Sequence, residues 1–186
     1  MENITFFREW LPLPKPDFRI LAMLADRGEF KGNLSELCDY FSLTRQTRNR
    51  NQLKSSILKL QDQGLIECEI SGRTYTLRAV PKAEKLEIPR VWMERIKAHD
   101  YTSEDVAWEQ VLKVYLWITG NTVPVVTNQM IEVDLGVSAS TIGYAKNVLQ
   151  HEYEAITRRK VSDKLCDGSF RTIGQELAAV AWWSAE

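Results

Sequence analysis

Apolar positions recur along this chain at helical spacing in several short runs, each closed by a glycine or a polar turn. Over Asp17 to Arg27, Phe18, Leu21, Leu24 and Ala25 share a face, with Asp17 after Pro16 as the N-cap candidate and Gly28 as the stop. A second helix is expected over Leu34 to Phe41, capped by Asn33 or Ser35 and striped by Leu34, Leu37, Cys38 and Phe41. The polar connection Ser42 to Arg48 leads to a third, about Asn49 to Gln63, whose Leu53, Ile57 and Leu60 fall together and which ends at Gly64. The period then changes. Ile66, Cys68 and Ile70 alternate with Leu65, Glu67 and Glu69, which predicts two strands turning at Ser71-Gly72. No strand is expected between Phe18 and Leu34; one there, or a single continuous sheet, would end the reading of two units.

Pro81 to Tyr101 reads as a connector with structure of its own, since Val91, Trp92 and Ile96 give half a helical stripe between charged residues. From Thr102 the series restarts. TSED offers a capping-box-like start to a helix carrying Trp108, Val111, Leu112, Tyr115 and Trp117 or Ile118, closed by Gly120. Thr127 or Asn128 opens the next helix, closed by Gly136, and Val137-Ser138 opens another through about Glu152, with Ile142, Ala145, Leu149 and Tyr153 inward. Ala155 to Lys164 and Phe170 to Gln175 flank Cys166-Asp167-Gly168-Ser169, a hairpin signal. Helix, helix, helix, hairpin thus occurs twice. The fold class expected is mainly α with small β hairpins (α+β), in two units: residues 1–80 with an N-terminal arm, a structured connector over 81–101, and 102–186.

Composition adds exclusions. The 186 residues are 44% hydrophobic and 26% charged, as in a globular protein that needs no staples, and a net charge of −1 rules out bulk polybasic attraction to nucleic acid. Any nucleic-acid site is local. Met1 to Val80 holds 12 Lys/Arg against 10 Asp/Glu, and within it Leu43 to Leu60 carries Arg45, Arg48, Arg50, Lys54 and Lys59 with no acid. The three cysteines and two histidines lack the spacing of a disulfide framework, a zinc site or a nucleophile pair, so no metal or cofactor is expected. No apolar run is long enough for a bilayer and the start lacks a signal-peptide pattern, so a cytoplasmic location without membrane contact is expected.

Met130 to Leu149, MIEVDLGVSASTIGYAKNVL, resembles the helix-turn-helix of winged-helix bacterial regulators, in which a Leu-Gly-Val-Ser turn precedes a Ser-Thr-Ile start of the recognition helix. Asn49 to Ile70 is similar to the recognition helix and first wing strand of the same superfamily, with its Leu-x-x-x-Gly-Leu-Ile ending at Leu60 to Ile66. The resemblance implies two winged-helix domains in tandem. It is specific for the fold and not for one family. The first-half turn, SLTRQTRN, departs from it in having no glycine.

DNA binding needs cations for phosphates, and amide, guanidinium or hydroxyl groups for base edges. The first half supplies both: Arg45 and Arg48 in the turn, Arg50, Asn51, Gln52, Lys54 and Ser55 on the helix, and Arg73 beside the wing tip. Arg50, Asn51 and Gln52 are the expected base readers. In the second half the groove-side stripe Ser140, Tyr144, Asn147 and His151 has hydroxyls and an amide but no lysine or arginine, and Lys146 falls inward, so Ser140, Tyr144 and Asn147 are expected to touch bases while Arg158, Arg159 and Lys160, with Lys164 and Arg171, meet phosphates. The plain alternatives are a solvated polar face in the first half and a winged helix used only for packing or partners in the second.

The leading expectation is a sequence-specific double-stranded DNA-binding protein, a transcriptional regulator. A plasmid or phage replication initiator with two winged helices in series is the alternative, as is a tandem winged-helix scaffold that binds proteins in chromosome segregation. Without a glycine-rich phosphate loop, metal spacing or an activated nucleophile, an enzyme is not expected. A homodimer is expected through the exposed-looking aromatic arm Phe6, Phe7 and Trp10 or the tail Ala178 to Trp183. No small-molecule effector can be named.

Overall fold

The computed structural model describes residues 2–101 and 106–180. Along them run β1 (Asn3–Phe7), a short 3-10 turn (Arg8–Trp10), α1 (Lys15–Arg27), β2 (Glu29–Gly32), α2 (Leu34–Tyr40), α3 (Thr47–Asp62), β3 (Ile66–Ser71) and β4 (Thr74–Ala79). There follow β5 (Lys85–Pro89), α4 (Arg90–Ala98), α5 (Trp108–Thr119), α6 (Asn128–Leu135), α7 (Ala139–Asn147), a π-helical turn (Val148–Glu152), β6 (Ile156–Lys164) and β7 (Phe170–Ala179). The fold is α+β, with small antiparallel sheets. Backbone proximity divides the chain into an N-terminal unit, Ile4–Lys85, and a C-terminal unit made by the rest.

In the N-terminal unit, α1 starts two residues before the expected cap. Asp17 therefore lies inside its first turn, and its carboxylate, 4% exposed, accepts from Lys59 Nζ of α3 at 2.7 Å. It ties two helices and caps neither. Asn33 does cap α2: its Oδ1 accepts from the Ser35 and Glu36 N–H groups at 2.8 and 3.1 Å, while the Glu36 carboxylate accepts from the Asn33 N–H, completing a capping box. Helix α3 also begins early, at Thr47, and buries Leu53, Ser56, Ile57 and Leu60.

The expectation that no strand lies between Phe18 and Leu34 is overturned by β2, and the condition that any strand there ends the two-unit reading is too strict, since β2 only adds an edge to the sheet of the expected hairpin. It pairs antiparallel with β4, Phe30 opposite Leu77, so the sheet order is β2-β4-β3. Four residues with one buried aromatic are too short to show a period, and the partner that makes them a strand lies 43 to 49 residues on. The three helices and the hairpin keep their expected order around it.

A second correction concerns the N-terminal aromatics. Phe6 and Trp10 are fully buried and Phe7 is 6% exposed. Phe6 stacks on Phe18 with ring centroids 6.4 Å apart, and Trp10 meets Phe6 and Phe7 edge to face. This segment is core, and it is no arm available for dimerisation. Adjacent Phe6 and Phe7 are both enclosed, so the alternation of a half-buried strand is lost and exposure cannot be read from pattern.

The C-terminal unit is built on α5, in which every residue from Val111 to Ile118 is buried, the mark of a helix enclosed on all sides. It starts at Trp108, where Gln110 Oε1 accepts from the Ala107 N–H; the TSED start at Thr102 to Asp105 lies outside the described residues, as do Trp182 and Trp183 of the tail. Trp117 Nε1 donates to Asp134 of α6 at 2.8 Å. Thr127 and Ser138 cap α6 and α7 as expected, and Gly136 between them takes the left-handed conformation at φ 60°. Residue Val126 forms an isolated bridge with Gln175 of β7, on the side away from β6. Neighbouring Gly174 is required there, since a Cβ would stand 2.6 Å from Val125 Cγ1.

A buried indole predicts a large truncation cost. Trp10→Ala should lose about 3–5 kcal/mol in urea unfolding, whereas a tryptophan on an exposed arm would cost under about 0.5 kcal/mol.

Candidate nucleic-acid interface

The N-terminal unit gathers most of the sequence-predicted residues around α3. With Leu53, Ile57 and Leu60 turned inward, the helical step of about 100° per residue sends Arg48, Asn51 and Ser55 straight outward, and all three are exposed. Lys54 is exposed on one flank. Arg50 stands on that same flank, half-buried, and lines a cleft of about 550 Å³ with Arg73 of the β3–β4 turn, Asn33, Ser35 and Tyr75. Gln52 points the other way, into a smaller recess of about 260 Å³ shared with Lys15 and Arg19 of α1. Arg50, Asn51 and Gln52 are therefore not three readers of one surface: consecutive residues on a helix face three directions, and only Asn51 is central.

Arg45 is not a free cation. Its Nε and Nη2 donate to the two carboxylate oxygens of Asp39 at 2.8 and 2.6 Å, and this contact holds the Asp39 carboxyl below the usual range. Asp39 lies six residues upstream, on α2, outside the acid-free stretch that marked the basic cluster. Sequence reasoning also passed over Asn33, Ser35, Lys15 and Arg19. They stand on other elements, and only the packing of α1, α2 and the hairpin against α3 brings them to its flanks.

In the C-terminal unit Ser140 and Asn147 are exposed on α7, Tyr144 is half-buried beside Tyr101 with centroids 6.4 Å apart, and His151 is exposed on the π-helical turn. Asn147 Oδ1 accepts from Arg158 of β6 at 3.2 Å, so helix and strand meet through two of the candidate residues. Arg159 approaches Glu176 at 3.8 Å, and Lys160 is exposed on the same strand. Lys146 is indeed inward: 2% exposed, it donates from Nζ to Asn128 Oδ1 of α6 and to Gln175 Oε1 of β7. One ammonium thus joins both helices of the turn to the sheet.

Among the described residues no group of three or more His, Cys, Asp or Glu could hold a metal ion, and no helix is long and apolar enough to cross a membrane. Cys38 is buried, Cys68 half-buried and Cys166 exposed, and burial raises the first two thiols above their ordinary range. Comparison with protein-family models and with curated proteins finds no match to the chain.

Burial, and secondarily the charge of Arg158, lowers Lys146 to about 8. The unfolded chain keeps this proton up to about 10.5, so between those values it binds more protons than the native state and stability rises with pH. Lys146→Met removes that rise. The stability difference between wild type and variant, measured by urea unfolding at pH 7 and pH 10, should shift by about 1–3 kcal/mol in favour of wild type at the higher pH; a constant difference would assign Lys146 an ordinary pKa.

Proposed function

We propose that this protein is a sequence-specific double-stranded DNA-binding protein of two winged-helix units, acting in the cytoplasm as a transcriptional regulator. The observation that carries the reading is the outward face of α3: Arg48, Asn51 and Ser55 in front, Lys54 beside them, and the Arg50–Arg73 cleft on the flank between helix and hairpin. A helix packed on one side by apolar residues, with an amide and cations on the other, fits a major groove with an amide for adenine and charges for the bordering phosphates. The two arginines of the cleft give the hairpin side a second phosphate contact.

The repeat of topology supports a winged helix in each unit. Both run helix, strand or bridge, helix, helix, hairpin, and in both the first extended segment joins the second hairpin strand, as β2-β4-β3 and as Val126-β7-β6. The readings of a replication initiator and a protein-binding scaffold gain no observation of their own from α3.

Duplexes selected from a random pool by gel shift supply the test. Arg48→Ala and Lys54→Ala should each lower the salt slope of log affinity by about one unit and weaken all duplexes alike. Arg45→Ala should change it less, because Asp39 already neutralises that guanidinium. Asn51→Ala should keep the slope, cost about 1–3 kcal/mol on the selected site and relax selectivity at one position. Unchanged slopes for both Arg48→Ala and Lys54→Ala would reduce the α3 face to solvated surface and favour a protein-binding scaffold.

A further inference from the structure

The β6–β7 hairpin extends beyond what its unit needs for a core. Ile156 is buried and Val161 and Leu177 are half-buried, whereas every residue from Ser162 to Ile173 is exposed. The change falls at a break in register: Val161 pairs with Gly174 and Ser162 with Thr172, leaving Ile173 as an extra residue on β7. Such a bulge bends a hairpin and re-aims its tip. The outer part carries three exposed apolar side chains, Leu165, Phe170 and, at the bulge itself, Ile173, and Phe170 is 71% exposed. A solvated phenylalanine gains nothing for folding, and here it stands near two further exposed apolar side chains on one arm.

Charge along the hairpin is ordered. Arg158, Arg159 and Lys160 occupy the root, the first held by Asn147 and the second facing Glu176. At the tip Lys164 is the cross-strand partner of Phe170, so an ammonium and the ring share a face, and Arg171 lies opposite Asp163. The other acid, Asp167, is turned into its own loop, where Oδ1 accepts from the Ser169 N–H at 2.9 Å and hydroxyl at 2.6 Å. The arm is thus basic at its base and near neutral at its end, with an aromatic leading.

We propose that this hairpin enters the minor groove of duplex DNA and inserts Phe170 between base pairs as a kinking wedge, while Lys164 and the root cations meet the flanking phosphates. The inference rests on the DNA-binding reading above. An apolar wedge unstacks one base step and bends the duplex toward the major groove, and the cost is offset by the wider contact that bent DNA makes with a basic surface. The division of labour also accounts for an α7 stripe without lysine or arginine: the charge that this unit brings to a phosphate backbone stands on its hairpin.

The exposed thiol of Cys166 at the tip permits a direct test on the full chain. An iron chelate attached there, in a Cys68→Ser background, cleaves DNA wherever the tip rests, and 2-aminopurine scanned through a selected duplex brightens where a base step opens. Minor-groove cleavage clustered at one step, with fluorescence rising at that step, is the expected result. Phe170→Ala should abolish the rise and Phe170→Trp should retain it, both with an unfolding midpoint unchanged from wild type. Duplex bound with no cleavage near the tip, or with the same fluorescence rise for Phe170→Ala, overturns the wedge and leaves DNA binding standing. A wild-type chain that binds no duplex overturns both. Unaltered DNA binding by Phe170→Ala together with lost self-association in sedimentation would reassign the ring to a contact between copies.

Discussion

Everything proposed for the N-terminal unit depends on how α3 is anchored. Three aliphatic side chains, Leu53, Ile57 and Leu60, hold one side of it in the core, and the Lys59–Asp17 ion pair fastens its later turns to α1. A helix of sixteen residues has mean polarity too high to stay packed by propensity alone, so this narrow stripe decides its rotation about its own axis. Rotation in turn decides which residues face solvent. Had the stripe fallen one position later, Gln52 would occupy the place that Asn51 holds, and the arginine pair of the cleft would be broken.

The C-terminal unit meets the same demand with different means. Its central helix is apolar on all sides, while the helix after the turn is short and only modestly amphipathic. The alignment of that helix relies on a polar link, since Lys146 reaches both Asn128 and Gln175 from within the packed interior. Fixing a helix by a buried ammonium costs desolvation that an aliphatic contact does not, and what it contributes is direction. The two units thus share an order of elements and differ in how each holds its exposed helix.

Much of the architecture was legible in the sequence because periodicity and stop signals are local. Gly64, Gly136 and the Asn33, Thr127 and Ser138 caps mark boundaries that need no tertiary information. What escaped was nonlocal. Strand β2 exists only because β4 comes back beside it, Phe6 and Trp10 are core because Phe18 receives them, and Asp39 quenches Arg45 across a turn. The candidate site shows the same division: the outward rank of Arg48, Asn51 and Ser55 follows from the helical period, whereas the Arg50–Arg73 cleft joins residues from two elements and could not be read along the chain.

The bulge at Ile173 sets apart two lengths of the same hairpin. On one side the strands are tied to the unit by Val126 and closed over by Gly174; on the other, nothing from Ser162 to Ile173 is buried. Residues added to or removed from the outer part in matched pairs would keep the pleat and leave every buried contact in place. The reach of this arm is therefore a quantity that can drift in evolution, or be set by design, independently of the stability of the domain that carries it.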